Sequence, residues 1–517
     1  MTGLDYAVFL TYLVGVAGLA VWLSRAPRNH RRTAEDYFLA GRSLPWWIIG
    51  FSLIASNIST EQVIGMNGTA FVSGIAVIAY SWIGACIPQV VVARFFLPAF
   101  LRMKVYSMPQ YLELRYDRRV STGMGVFWLL VYVFVNLTSV LYLGALSLNT
   151  VVGLPVMGGI VLLAGVSALY TVWGGLSPAA WTDFLQVAVL VAGGLVITLA
   201  GLDAVGNGAG WWDGFLALMA AAPDRFHTVL PADHPDLPWT GVFLGGLWIA
   251  ALSYWGCNQY IIQRALAARS LVQAQYGLVF AAFLSLLVSV VIVFPGIIAS
   301  VLYPVAVARP DQAYPTLVRE LAGPGYTGLI IAALFAAIVS SLNSMTNSAS
   351  TIFTMDIYRR LVNPAAGDAQ LVRVGRWASA LALVTAVVTA PRLSSFGQVF
   401  QFIQEYTGFI TPGVLAVFAF GLFWRRTSPA AALAAVLLTI PVSALFKMLL
   451  PELGFLNRMG LVFLILGAAV VAVSLWRPAC ALADLRLDWS QDRAPALFNA
   501  LALAVVGIVA ALFLVFR

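Results

Sequence analysis

Ser340, Ser344 and Ser348 recur every four residues in an otherwise apolar run, with Ser341, Asn343 and Asn347 beside them. Helical periodicity places the three serines on one face of an element running from about Thr327 to Met355. Hydrocarbon does not reward a stripe of hydroxyls and amides, so the stripe serves either close packing against another helix or the holding of something polar. A second constellation, Ala55-Ser56-Asn57-Ile58-Ser59-Thr60-Glu61-Gln62, puts a carboxylate amid small polar residues. A third, Leu252-Ser253-Tyr254-Trp255-Gly256-Cys257-Asn258-Gln259, mixes aromatic and amide groups.

The elements that carry these groups follow from composition. The 517 residues are 61% hydrophobic and 10% charged, which suits a bilayer better than water. A spanning helix needs about 20 apolar residues, and scanning for such runs gives roughly 14 spans. Little sequence is left over for a soluble domain. The first run lacks a basic segment before it and is expected to be a true span, not a cleaved signal. At mid-membrane depth Glu61 is costly unless paired or wetted. Its small polar neighbours compete for backbone bonds, so an unwound segment is expected there, tolerated only where it lines a cavity. The 252–259 stretch is the second expected discontinuity. Two interrupted helices at matching places in two halves mark a transporter's binding site.

The net charge is +8, but its placement says more. Numbering the loops in order, the even ones carry only Arg225, Arg309, Arg319, Arg392, Lys447, Arg458 and Arg517. The other 22 of the 29 Lys and Arg fall on the odd side. The positive-inside rule then puts the odd loops in the cytoplasm and both termini outside. The basic excess is therefore a topology signal and not a nucleic-acid footprint.

Several chemistries are excluded. Cys86, Cys257 and Cys480 show neither metal spacing nor a disulfide framework. His30, His227 and His234 all fall in loops, leaving no histidine relay across the membrane. No nucleotide-binding loop is present, so transport must run on a gradient and no nucleotide partner is expected. No nucleophile, base and orienting group cluster as an enzyme requires. The longest polar connection, about 206–238, is expected outside, with Trp211 and Trp212 at the lipid interface.

Several segments together resemble the solute:sodium symporter family, particularly its bacterial sodium/galactose members. They are Phe51 to Gln62, Trp173-Gly174-Gly175-Leu176-Ser177 with Trp181-Thr182-Asp183, and Tyr254 to Arg264. Ala337 to Leu342, Ser350 to Tyr358 and Phe400 to Gly408 complete the set. The matches run from about Glu35 to Arg426. The resemblance implies an all-α, polytopic membrane protein with a LeuT-like 5+5 inverted-repeat core. The chain then divides into a leading helix and first cytoplasmic loop (1–45), a first repeat (46–204), an external loop (205–238), a second repeat (239–426) and three trailing helices (427–517). It would lie in the bacterial inner membrane.

The same resemblance implies one Na+ site. Backbone carbonyls would come from Ala55, Ile58 and Ala337, and hydroxyl oxygens from Ser340 and Ser341. Five neutral oxygens suit a hard cation that must be released again. Some relatives hold a second sodium, for which Asp183 and Ser344 match and Asn343 replaces a serine.

Cargo is expected to be neutral and polar. Between Arg119 and Arg225 there is no Lys or Arg, and a carboxylate at mid-membrane wants a cation or a helix amino end. By resemblance Gln62, Asn136 and Gln404 would hydrogen-bond a sugar, and Tyr254 would stack on it as an inner gate. Met66, Tyr80 and Phe400 would form the outer gate. Ser81, Ala251 and Ser285 stand where galactose carriers place Glu, Asn and Lys. That loss argues for a larger or differently hydroxylated sugar, a derivative or a cyclitol. The alternatives are a carrier of the same fold for an amino acid, vitamin or osmolyte, or a transporter-like sensor without flux.

Overall fold

The computed structural model describes residues 2–23, 42–105, 107–173, 176–477 and 494–517. Most of the loop after the first apolar helix, the Trp173-Gly174-Gly175 turn, His30 and Cys480 lie partly or wholly outside the described residues, as does the side chain of Asp183. Every regular element among the described residues is helical, apart from two isolated bridges, Leu44 with Ala268 and Leu230 with Pro238. Ten helices are long and apolar enough to cross a bilayer, and a bent pair, Val399–Thr407 and Thr411–Phe423, makes an eleventh at 47°. The expected count of fourteen is not reached by length alone. The apolar helices Gly3–Val16, Trp46–Asn57 and Val156–Leu169 are shorter in their described parts.

The second span breaks where the sequence weakens it. Helix Trp46–Asn57 ends at Ile58, whose φ of −77° and ψ of 82° leave the helical region. The break diverts backbone bonds. Ser59 N–H turns to Asn57 O (2.9 Å), where an unbroken helix would send it to Ala55 O. Gln62 N–H goes to Ser59 O (3.1 Å) rather than to Ile58 O. The carbonyls of Ala55 and Ile58 thus lose their helical partners. Ser56 Oγ donates back to Ser52 O (2.7 Å) and Ser59 Oγ accepts from Glu61 N–H (3.2 Å), the local competition expected of small polar residues. The chain resumes in a widened π-helical stretch, Glu61–Met66, and continues through Asn67–Ser73. It turns at Gly74, whose φ of +67° suits glycine alone. Arg225 from the long polar connection closes this end, donating to the carbonyls of Phe71 and Val72.

The seventh span breaks in the same manner. Helix Gly246–Cys257 stops at Asn258 (φ −78°, ψ 125°), whose side chain accepts from Tyr260 N–H and starts the helix Gln259–Leu266. Tyr132 Oη donates to the same Asn258 Oδ1 (2.7 Å), pinning the break to the Arg118–Val152 span.

Both halves of the first broken helix pack on one spine, Leu271–Leu302. Glycines allow the approach. A Cβ at Gly277 would lie 2.7 Å from Ile49 Cγ2, and one at Gly296 would lie 2.2 Å from Asn67 O. The latter contact is with backbone and cannot be relieved by a rotamer change. Gly296→Ala is therefore expected to destabilise the protein by about 1–3 kcal/mol, read as a lower thermal midpoint in detergent with no change in helical content.

Candidate functional site

The serine stripe lies on one unbroken helix, Tyr326–Thr351. It meets the first break in a small recess of about 220 Å³, mouth included. Ala55, Ser56, Ser340, Ser341 and Ser344 line it, with Tyr260 and Arg264 from the helix beyond the second break. The paired hydroxyls and the Ala55 carbonyl region are thus brought together as expected. Ser341 is 6% exposed, and its hydroxyl makes no hydrogen bond among the described residues. A serine buried in a helix ordinarily back-bonds to the preceding turn. Arg264, which also lines the recess, donates to Ser52 Oγ (2.9 Å) and to Tyr260 O.

Other expected ion ligands fall differently. Ile58 lines the larger cavity described below instead of the recess. The two residues with freed carbonyls, Ala55 and Ile58, therefore line two different spaces at one break. Ala337 lies one turn before Ser341, buried, and lines neither space. Asn343 accepts a hydrogen bond from Ser167 Oγ (2.8 Å), facing the Val156–Trp173 helix and not the recess. One residue is about 100° of helical phase, which separates Asn343 from Ser344.

The larger cavity holds about 1210 Å³ of empty space, its opening included. Gln62, Ser81, Asn136, Tyr254, Ser285 and Gln404 all line it. Tyr254 Oη accepts from Tyr260 Oη (3.0 Å), and its ring stands edge-on to Trp255. Ser285 Oγ accepts from Gln89 Nε2 (3.3 Å), so that hydroxyl is partly engaged by protein. At one end of the cavity Tyr80 and Phe400 pack edge to face with centroids 5.0 Å apart. Met66 is fully buried and does not line the cavity. A Cβ at neighbouring Gly65 would sit 3.0 Å from Phe400 Cβ, so this end is closed by tight packing.

Sequence reasoning left six polar lining residues out of the cavity: Asn57, Glu61, Ser253, Asn258, Thr407 and Thr411. Asn57, Glu61 and Asn258 sit at or beside the two helix breaks, which is the signal that could have found them. Glu405, by contrast, pairs with Lys447 (2.9 Å) and Arg458 (2.8 Å), as a structural carboxylate would.

Two broken helices, a hydroxyl-lined recess and a cavity with polar groups on its wall are the arrangement expected of a membrane transporter. Residues 37–439 match the sodium:solute symporter family model, and the chain belongs to that family. It is 45% identical over 476 residues to a sodium/glucose cotransporter of Vibrio parahaemolyticus, covering 88% of this chain and 87% of the relative. It is 36% identical over 464 residues to sodium/myo-inositol cotransporter 2 of Mus musculus, covering 84% and 68%. Among solved structures, a substrate-bound, outward-open Na+-coupled sialic acid symporter shares the fold. The TM-score is 0.79 at 24% identity, covering 93% of this chain and 99% of the other.

Proposed function

We propose that the protein is a sodium-coupled symporter that imports a neutral polar solute, a sugar, sugar derivative or cyclitol, across the bacterial cell membrane. One observation carries the reading: the broken helix around Ile58 forms a wall of both the hydroxyl-lined recess and the polar cavity. Ala55, Ser340 and Ser341 line the recess, and an ion held there, with the carbonyls of Ile58 and Ala337 closing on it from beyond that lining, would fix the wall in the shape the solute needs. This is how one site couples to the other. The five ligand oxygens are neutral, and Arg264 on the recess wall adds a positive charge, so the ion is held weakly enough to be released. One ion crossing 100 mV supplies about 2.3 kcal/mol. Engagement of Asn343 by Ser167 favours a single ion per cycle.

In this reading the solute stacks on Tyr254 and exchanges hydrogen bonds with Gln62, Asn136 and Gln404, whose amides donate and accept. Residues 46–204 and 239–426 act as the two inverted repeats that rock against each other, and both termini face outward. The names of the Vibrio and mouse relatives, glucose and myo-inositol, support sugar or cyclitol as the class.

The test is uptake into liposomes under an imposed sodium gradient, with labelled glucose, galactose, myo-inositol and amino acids. Sodium-dependent uptake of a sugar or cyclitol is expected. Equal uptake in potassium removes the coupling, uptake of amino acids alone favours the non-sugar carrier, and no flux with retained binding favours a sensor. Gln404→Ala and Tyr254→Ala are each expected to weaken solute affinity by about tenfold, roughly one lost hydrogen bond or stacking contact. Half-saturating sodium should stay within about twofold of wild type. Unchanged solute affinity in both variants would place the cargo elsewhere.

A further inference from the structure

The cavity wall carries one charged side chain, Glu61, and no Lys, Arg or His among its lining residues. Glu61 is 8% exposed. Its Oε1 accepts a single long hydrogen bond, from Asn136 Nδ2 at 3.4 Å, and no second donor reaches the carboxylate among the described residues. The backbone beneath it is fixed, because Glu61 N–H is held by Ser59 Oγ and the residue opens the widened turn Glu61–Met66. Its neighbour Gln62 faces the same cavity.

The remaining polar groups on this wall are amides and hydroxyls, which both donate and accept. A carboxylate only accepts, at about four lone-pair sites. Buried with one weak donor it is under-satisfied, and charged hydrogen bonds are roughly twice as strong as neutral ones. The missing donors must come from whatever fills the cavity. Two adjacent hydroxyls of a polyol present two hydrogens at the spacing of the two carboxylate oxygens. A solute with its own carboxylate or phosphate instead sets like charges together in a desolvated space, where repulsion is far stronger than in water.

We infer that Glu61 sorts solutes by charge, accepting the paired hydroxyl hydrogens of a neutral polyol and turning away anionic sugars. The inference rests on the cavity being the cargo site. It assigns to Glu61 cargo selection and no part in holding sodium, whose recess lies on the other side of the broken helix and is lined by other residues.

The test compares wild type with Glu61→Gln, full-length and reconstituted, using labelled glucose and labelled myo-inositol, with glucuronate as competitor. For the polyol that wild type carries, KM is expected to rise at least tenfold in Glu61→Gln, with half-saturating sodium within about twofold. Glucuronate, inert against wild type at millimolar concentration, should become a competitor. Glu61→Asp keeps the charge on a shorter arm; it should weaken the polyol yet still exclude glucuronate, which covers a glutamine variant that fails to fold. Unaltered KM with glucuronate still inert overturns the inference alone. A shift in sodium dependence equal to the shift in KM overturns it too, by placing Glu61 in the ion path. A wild type that carries neither polyol overturns both this and the reading beneath it.

Discussion

Ser341→Ala is expected to abolish sodium-driven accumulation while leaving the fold and sodium-free solute binding intact. The variant deletes one oxygen from a proposed set of five and creates no unsatisfied partner. The Ser341 hydroxyl has no hydrogen-bonded protein partner among the described residues and borders the recess. A hard cation short of one ligand must take water instead, which this cramped space admits poorly. Losing about 1.4 kcal/mol of ion binding raises half-saturating sodium tenfold, and loss of a ligand in a dry site exceeds that. Half-saturation beyond tenfold above wild type, with an unchanged thermal midpoint, is the expected result. Ser341→Thr keeps the hydroxyl and should retain most of the coupling. Wild-type sodium dependence in Ser341→Ala would remove the recess from the transport cycle.

How much of this was legible in the sequence depends on whether a feature is local. The breaks at Ile58 and Asn258 were legible because their causes are adjacent residues: serine and asparagine side chains that bond their own backbone, and a carboxylate where hydrocarbon forbids one. The stripe was legible as a face, since serines four apart must align on a helix. Its finer assignment was not. Ser344 and Asn343 differ by one residue, and only the neighbour at Ser167 decides which one faces the recess. Length alone counts up to eleven spans among the described residues, because the described parts of Gly3–Val16, Trp46–Asn57 and Val156–Leu169 are short. Apolar composition carries no angle, so the 47° bend between Val399–Thr407 and Thr411–Phe423 was not legible. Glu61 was visible but ambiguous, because a structural and a cargo-facing carboxylate look alike until their partners are known. Asp311 was not legible at all: its partner is a backbone N–H 88 residues away.

That buried aspartate gives the second large effect, a stability that falls as pH rises from about 4 to about 7. Asp311 lies in the short turn Pro310–Gln312 between two spans and is 2% exposed. Its Oδ2 accepts the N–H of Val399, the first residue of the helix that carries Phe400 and Gln404. Its Oδ1 has no partner and lies against Gly68, where a Cβ would come within 2.7 Å. Burial pushes the carboxyl up to about 7, against the opposing pull of the Val399 N–H and of nearby Arg309, which itself binds Tyr142 Oη (2.8 Å). The sign follows. With the folded value raised above the ordinary 3.8, the docked turn holds a proton that the undocked turn has already lost over this range. Docking is fully favoured below about 4, weakens as pH rises to about 7, and levels off above. The full swing is at most about 4 kcal/mol, or roughly 3–4 °C in the midpoint of a chain this long. Asp311→Asn keeps an acceptor for Val399 and cannot ionise, so its midpoint should lack this fall. Asp236, raised by burial, and His234, lowered by burial, also titrate on the long polar connection, so the difference between wild type and Asp311→Asn is the quantity to measure. Because the turn clamps the helix behind the packed Tyr80–Phe400 pair, the same proton should hold that end of the cavity shut. Parallel pH profiles for the two proteins would show that the clamp does not feel the carboxyl's charge.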